Sequence, residues 1–242
     1  MKDIILKVDK LKKEYESFSL KDVSFEIEKG KIVGFIGNNG AGKTTTIRCI
    51  LGLSPYQAGT IQVNGSTIDE DEEKYKSSIG VAFDTGYFYD SFTLKRMKNI
   101  VKAGFKNWDD IVFHEYLGKY HLDENKKIES LSKGMRMKYS LALAMSHNAE
   151  ILIFDEPSSG LDPKSRHALC EEMLEHKKQG KTVFFSTHIT SDLDKIADDI
   201  VLIDDGRILF GGSKDSFMNQ GKETSKDIET VMLDVIGDSS IE

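Results

Sequence analysis

Hydrophobic and polar positions alternate along the first part of the chain. Residues 3–28 follow this period of two, most clearly over 23–27, which is typical of antiparallel strands with one buried face. Asn64-Gly65 lies between the short runs 60–63 and 66–68 and predicts a tight hairpin there. The first third of the chain is therefore predicted to be rich in β-structure.

The middle of the chain changes to a helical pattern. From about residue 87 to residue 149, Lys, Glu, Met and Leu are abundant and no convincing strand pattern occurs. Ser132 can cap a helix that continues over 136–146. This segment predicts a helical lobe inserted into the β-rich part.

Two short apolar runs, 151–154 and 182–185, then predict buried strands. Between them Asp162 can cap a helix, Pro163 can open it and Gly180 can close it. A strand, a helix and a second strand in this order imply a parallel sheet.

The last part of the chain predicts a hairpin and an amphipathic helix. Asp205-Gly206 can turn the run 200–203 back onto 207–210. Beyond it, apolar residues recur at i, i+3, i+4, i+7 and i+8, the spacing of one helix face. These residues are Ile228, Val231, Met232, Val235 and Ile236. We expect this face to pack on its own domain, with a dimer or partner contact as the alternative.

Composition excludes some classes of protein. The chain has 242 residues, with 39% hydrophobic and 30% charged, which is ordinary for a globular protein. Cys49 and Cys170 have no disulfide or metal spacing, so a reduced, cytoplasmic setting is expected. There is no signal-peptide pattern and no membrane-spanning apolar run, so any membrane role is expected to come through a partner. A net charge of −7 argues against a nucleic-acid surface.

The strongest chemical signal follows the apolar run 31–36. Residues 37–45 match the phosphate-binding pattern GxxxxGK[ST]. A strand that ends in such a turn and opens a helix aims backbone N–H groups and the positive end of the helix at one point. Lys43 can reach the β- and γ-phosphates, and the Thr44 hydroxyl can ligate Mg²⁺. The predicted helix runs over 44–53 and is stopped by Pro55. The loop residues are Gly37, Asn38, Asn39, Gly40, Ala41, Gly42, Lys43, Thr44 and Thr45.

Polar residues follow both predicted parallel strands. Asp155 and Glu156 come directly after 151–154, where the carboxyl end of a strand would bring them beside the phosphate loop. Asp155 can hold Mg²⁺, usually through water, and Glu156 can polarise an attacking water as a general base. His188 follows the second run in the same way and is predicted to contact the γ-phosphate. The remaining histidines are expected to be surface or packing residues: His114, His121, His147, His167 and His176.

A second anion site is indicated at residues 131–135. Ser132 and Gly134 stand at a predicted helix start, where N–H groups point outward. One ATP has only one γ-phosphate, so two such helix starts in one chain indicate a site shared between chains. Taken alone, this segment is better explained by ordinary helix capping.

The ordered set of these motifs resembles the ATP-binding-cassette (ABC) ATPases over nearly the whole chain. The resemblance implies that Tyr15 stacks on adenine and that Ser132 and Gly134 contact the γ-phosphate of ATP held by the opposite subunit. It implies that residues 159–162, ending at Asp162, link the two sites. It also implies that two ATPs are sandwiched in a head-to-tail pair, which opens on hydrolysis. The motifs are Tyr15, 37–45, 131–135, 151–156, 159–162 and His188.

The chain departs from the family pattern in two places. Asp84 stands where the family usually has glutamine; it can ligate Mg²⁺ or accept from water but cannot donate a hydrogen bond unless protonated. Lys133 and Met135 replace the usual glycine and glutamine of the signature. Because Ser132 and Gly134 remain, we expect ATP hydrolysis to survive.

The expected fold class is α/β, a P-loop NTPase core with a mostly parallel sheet, an antiparallel β lobe and an inserted helical subdomain. One ABC ATPase domain is expected over 1–242. Its parts are predicted as the core with the β lobe at 1–84 and 150–212, the helical subdomain at 85–149 and a C-terminal helical tail at 213–242.

The resemblance implies an ATPase subunit beneath a separately encoded membrane permease, bound peripherally on the cytoplasmic side of the cell membrane. The pattern is most similar to bacterial exporter ATPases. A second cassette subunit, in the simplest case another copy of this chain, completes the pair, and no nucleic acid is expected. The aromatic cluster could receive the permease or pack within the helical lobe; it comprises Tyr87, Phe88, Tyr89 and Phe92.

Two alternatives use the same ATP site. A cassette ATPase for DNA repair or translation control usually has long coiled-coil insertions or tandem cassettes, and this chain has one phosphate loop and no heptad run. An ATP-sensing interaction subunit that scarcely hydrolyses ATP is motivated by Asp84 and the altered signature. Turnover assays separate these hypotheses.

Overall fold

The computed structural model describes residues 3–83, 88–222 and 224–239. The strands are β1 (Ile4–Glu14), β2 (Ser19–Glu28), β3 (Ile32–Ile36), β4 (Ala58–Val63), β5 (Ile79–Phe83), β6 (Ile151–Asp155), β7 (Thr182–Ser186), β8 (Asp199–Asp204) and β9 (Arg207–Ser213). The helices are α1 (Lys43–Ile50), α2 (Glu72–Ser77), α3 (Leu94–Lys102), α4 (Asp110–Lys119), α5 (Lys133–Ser146), α6 (Pro163–Lys178), α7 (Thr190–Ile196), α8 (Lys214–Met218) and α9 (Ile228–Ser239). In this part of the chain, no helix is both long and apolar enough to cross a bilayer.

The larger sheet has the strand order β5-β6-β7-β3-β8-β9. Its strands are parallel except β9, which runs antiparallel to β8. The residues of β3 and β7 are all buried, because α6 and α7 cover one face of these strands, while α1 and the smaller β-sheet cover the other. The predicted parallel strands, the predicted hairpin at Asp205-Gly206 and the α/β fold class are confirmed. Since β3, β6 and β7 are parallel, their carboxyl ends meet at one edge.

The smaller sheet is antiparallel, in the order β2-β1-β4, as the alternating pattern predicts. The predicted hairpin at Asn64-Gly65 is wrong in its second half. Val63 and Ser66 exchange two backbone hydrogen bonds, but residues 66–68 form no strand, and β4 pairs with β1 instead. The Glu70 carboxylate accepts from the Thr67 N–H and hydroxyl, so a local side-chain contact replaces the strand ladder.

Helix α1 is shorter than predicted. It ends at Ile50 rather than near residue 53. Gly52 has φ +68, and the N–H of Leu53 donates to the carbonyl of Arg48 at 2.9 Å. This arrangement satisfies the last carbonyls of the helix, so a left-handed glycine stops it ahead of Pro55.

Side-chain caps start the helices of the helical lobe, and a buried apolar face holds the terminal helix on the domain. Thr93, Asp109 and Ser132 each accept a backbone N–H at the starts of α3, α4 and α5. Ile228 and Val231 on α9 are fully buried, and this helix packs against α7, α8 and β9. The expectation that the apolar face of the tail packs on its own domain is confirmed.

The buried His147 should make stability depend on pH. Its ring stacks on Phe105 with centroids 3.9 Å apart, and its Nδ1 donates to the Ser77 carbonyl at 3.2 Å. Burial lowers the pKa of this imidazole to about 4, below its usual 6.5. The unfolded chain therefore binds the proton first, and stability falls as pH drops through 6.5 towards 4. The loss is about 1.4 kcal/mol at pH 5.5.

Urea unfolding of the wild type and His147→Gln at pH 7.5 and 5.5 measures this loss. We expect the wild type to lose more stability than the variant between the two pH values, because glutamine cannot take up the proton. An equal loss in both proteins would contradict the assignment to His147.

Candidate functional site

The carboxyl edge of the larger sheet opens into a cavity of about 660 Å³. The phosphate loop after β3, the turn after β6 and the segment after β7 all contribute to its wall, because parallel strands end at the same edge. The lining residues are Ser17, Phe18, Asn39, Gly40, Gly42, Lys43, Thr44, Thr45, Glu156, Ser159 and His188.

The phosphate loop curls around the Lys43 side chain. Lys43 is 6% exposed, and its Nζ donates to the carbonyl oxygens of Gly37 at 2.8 Å and Asn38 at 3.2 Å. Gly42 caps α1 in a left-handed conformation with φ +118, and no side chain caps the helix start. The first N–H groups of α1 and the Lys43 ammonium therefore face the cavity together, and this arrangement favours the binding of a polyanion.

Thr44 and Asp155 lie side by side. The Thr44 hydroxyl donates to Asp155 Oδ1 at 3.2 Å, and the Ser186 hydroxyl donates to the same oxygen at 2.7 Å. One hydroxyl and one carboxylate suit Mg²⁺, which binds through few protein oxygens and keeps several waters. The residues present therefore fit the predicted metal.

Glu156 is held by contacts on both its backbone and its carboxylate. Its N–H donates to Ser186 Oγ at 2.9 Å, although its φ of +51 is unfavourable for a residue with a side chain. Oε2 lies 2.7 Å from His188 Nδ1, and Oε1 lies 3.6 Å from Lys43 Nζ. The general-base candidate is therefore bound to the two residues predicted to hold the phosphates.

Sequence reasoning missed Ser186, which bonds both acidic residues. Ser186 is fully buried at the end of β7 and pairs in register with Asp155. The available signal was its position directly before Thr187-His188, on a strand parallel to β6. Phe18, which lines the cavity, was also missed.

Tyr15 lies outside the set of residues that line this cavity. Its ring is 49% exposed, its hydroxyl is 3.3 Å from Ser54 Oγ, and Lys13 Nζ lies 4.7 Å from the ring centroid. Its predicted adenine contact stays a prediction, with Ser17 and Phe18 as the neighbouring residues on the cavity wall.

Ser132 and Gly134 belong to a different place on the surface. Ser132 Oγ accepts the Met135 N–H at 3.3 Å and so caps α5, as predicted. With Gly134 it lines a separate cavity of about 200 Å³ against α6, away from the phosphate loop. Among the described residues, the two cavities have no lining residue in common.

Asp162 caps α6, as predicted. A hydrogen bond from the Ser165 hydroxyl, with further bonds from backbone N–H groups, holds the pKa of the Asp162 carboxyl below its usual value. The carboxylate is therefore charged at neutral pH and anchors the loop that leads from Glu156 to α6.

Two predicted features lie wholly or partly outside the described residues. Asp84 and Tyr87 fall in the segment 84–87, so the predicted metal contact of Asp84 stays a prediction. Phe88 packs edge-on against Tyr139 in the lobe core, whereas Tyr89 is 60% exposed. Phe88 therefore fits the interpretation that the cluster packs within the lobe, and Tyr89 fits the interpretation that it receives the permease.

Comparison with known proteins identifies the family. The family described as ABC transporter matches residues 20–159. The chain belongs to the ABC transporter family. It is 32% identical over 224 residues to the ABC transporter ATP-binding protein NatA of Bacillus subtilis, covering 89% of each chain. It is 33% identical over 218 residues to the linearmycin resistance ATP-binding protein LnrL of the same organism, covering 87% of this chain and 70% of that one.

A solved structure of the ATP binding subunit of an ABC transporter superposes with a TM-score of 0.85. The two chains are 28% identical, and the match covers 96% of this chain and 99% of that one. The cassette is therefore an ATP-binding subunit with ATPase activity, and it works with a membrane permease.

Proposed function

We propose that two copies of this cassette pair head to tail, clamp two Mg²⁺-ATP molecules and open on hydrolysis to drive a permease. The observation that carries the proposal is the grouping of Lys43, Glu156 and His188 on one cavity, with Ser132 and Gly134 held apart from it. One chain contains both halves of the site, so two identical copies suffice to complete two sites.

The predicted site residues have distinct proposed roles. The N–H groups of 37–45 and the Lys43 ammonium bind the β- and γ-phosphates, while Thr44 and Asp155 hold Mg²⁺, whose charge stabilises the charge that develops in the transition state. Tyr15 stacks on the adenine, and Ser132 and Gly134 receive the γ-phosphate from the partner copy.

The contacts of Glu156 indicate how the base is released for catalysis. In this structure its carboxylate is bound by Lys43 and His188, the two side chains proposed for the phosphates. We propose that the γ-phosphate replaces Glu156 as the partner of both side chains. The freed carboxylate then accepts a proton from the attacking water as general base.

The division of the chain follows from these roles. We propose the core with the β lobe at 1–84 and 150–212, the helical subdomain at 85–149 and the tail at 213–242 as the working parts. The loop that ends at Asp162 would then link the two shared sites, since it starts at Glu156 and leads into α6.

The permease is proposed to dock on the helical lobe near Tyr89. The centroid of this exposed ring lies 5.0 Å from the centroid of the Phe92 ring. The Arg96 guanidinium lies over the Phe92 ring, 3.8 Å from its centroid. Aromatic and arginine side chains are enriched at protein–protein interfaces. Docking would place the cassette peripherally on the cytoplasmic side of the membrane. The name of the relative LnrL refers to linearmycin resistance, which supports export as the direction of transport.

Affinity purification from detergent-solubilised native membranes tests the docking proposal. We expect the tagged cassette to recover a hydrophobic membrane protein, and Tyr89→Asp to reduce the recovery on the order of tenfold, because a charge would be buried in the interface. Ile111→Asp is the matched control, since Ile111 is an apolar residue of the same lobe that is 72% exposed, and it lies on α4. Recovery of no membrane protein, or equal losses in both variants, would count against this site.

A further inference from the structure

Lys133, the first residue of α5, contacts the loop between β6 and α6. Its Nζ donates to the main-chain carbonyl oxygen of Ser159. Ser159 lines the nucleotide cavity, whereas the start of α5 carries Ser132 and Gly134. One side chain therefore joins the two half-sites within a single chain.

The residue that accepts this bond is tied to Glu156. The N–H of Ser159 donates to the Glu156 carbonyl at 3.2 Å, so residues 156–159 form a closed turn. Glu156 has φ +51, a conformation that a glutamate keeps only when its surroundings hold it. Ser186 restrains the turn at the Glu156 N–H, and Lys133 restrains it at its other end.

The charge of Lys133 is unusual at this position. A helix start carries partial positive charge and favours acidic residues, yet the first turn of α5 has none. An ammonium there is unfavourable unless an acceptor offsets it. The Ser159 carbonyl oxygen is such an acceptor, which gives the contact an electrostatic reason to persist.

We propose that Lys133 is a positioning residue for ATP hydrolysis. It acts through Ser159 and couples the start of α5 to the turn that carries Glu156. A phosphate that docks on Ser132 and Gly134 thereby fixes the position of the general base in the same chain. This inference rests on the proposed function, because the phosphate must come from the partner's ATP.

Steady-state ATPase kinetics of Lys133→Met, Lys133→Arg and Lys106→Met test the coupling. We expect Lys133→Met to lower kcat roughly tenfold, as for the loss of one charge-assisted hydrogen bond. KM for ATP should stay within about twofold, because the cavity residues are untouched. Lys133→Arg should recover most of the rate, since a guanidinium can donate to the same carbonyl.

Lys106→Met is the matched control. It removes the same charge from the helical lobe, where Lys106 Nζ pairs with Glu73 at 2.5 Å and Lys106 lines neither cavity, and it should leave kcat unchanged. Urea midpoints of all three variants should match the wild type. A wild-type kcat in Lys133→Met, an arginine variant as slow as the methionine variant, or an equal loss in Lys106→Met would each overturn the inference.

A separate measurement distinguishes failure of this inference from failure of the proposed function. Glu156→Gln with Lys133 intact should form ATP-dependent dimers. If it does not pair, the proposed function fails. If it pairs while Lys133→Met hydrolyses ATP at the wild-type rate, only the inference fails.

Discussion

Glu156→Gln is expected to lower the rate of ATP hydrolysis by a factor on the order of 10² or more, the range expected when general-base help is removed. Glutamine keeps the size of the side chain and its hydrogen bond to His188, but it cannot accept the proton of the attacking water. Because Lys43, Thr44 and Asp155 are unchanged, ATP binding should survive. The variant should therefore accumulate as an ATP-bound dimer.

The rate is measured by phosphate release and the dimer by light scattering with saturating Mg²⁺-ATP. Glu171→Gln, an exposed carboxylate on α6, is the matched control and should hydrolyse ATP at the wild-type rate. Equal, near-zero turnover in the wild type and Glu156→Gln, with the permease present, would favour the ATP-sensing alternative. A variant that hydrolyses at the wild-type rate would remove Glu156 from the role of base.

Lys43→Ala is expected to abolish tight binding of ATP. The buried ammonium is the proposed main side-chain partner of the phosphate charge, and two charge-assisted hydrogen bonds to phosphate at about 1.5–3 kcal/mol each correspond to at least 10²-fold in affinity. Removing it also leaves the carbonyls of Gly37 and Asn38 without their donor, so the loop loses its internal anchor.

Titration calorimetry with Mg²⁺-ATP measures this loss, and circular dichroism checks the fold. Lys7→Ala is a suitable control, because Lys7 pairs with Glu26 on the exposed face of β1. An affinity close to that of the wild type in a folded Lys43→Ala protein would show that the main-chain N–H groups alone hold the phosphates.

Much of the fold could be predicted because its signals are local. The apolar run of β6, the Asp162-Pro163 start of α6 and the left-handed Gly180 after its end each reflect the backbone preferences of a few residues. The phosphate loop is local as well. It joins one strand to one helix, so nine consecutive residues specify its chemistry.

The wrong predictions lie where a local sequence preference competes with other hydrogen bonds. At Ser66 the hairpin signal of Asn64-Gly65 produced the turn, but Thr67 and Glu70 satisfied the next backbone groups and no second strand formed. At Gly52 a left-handed cap ended α1 before Pro55 could act. Both outcomes depend on the geometry of a few hydrogen bonds that residue type alone does not decide.

The amino-acid order was sufficient to predict the chemistry of the site: an anion-binding loop, an acidic pair and a histidine after buried strands, and a second capped helix start. It could do so because each motif acts through its own neighbouring backbone. Only the tertiary structure revealed that Ser186 forms hydrogen bonds with both acidic residues. It also revealed that Lys43 and His188 contact the Glu156 carboxylate, and that Lys133 donates a hydrogen bond to Ser159. Those contacts join residues 26 to 113 positions apart, and their distances are set by strand register and helix packing rather than by any local preference.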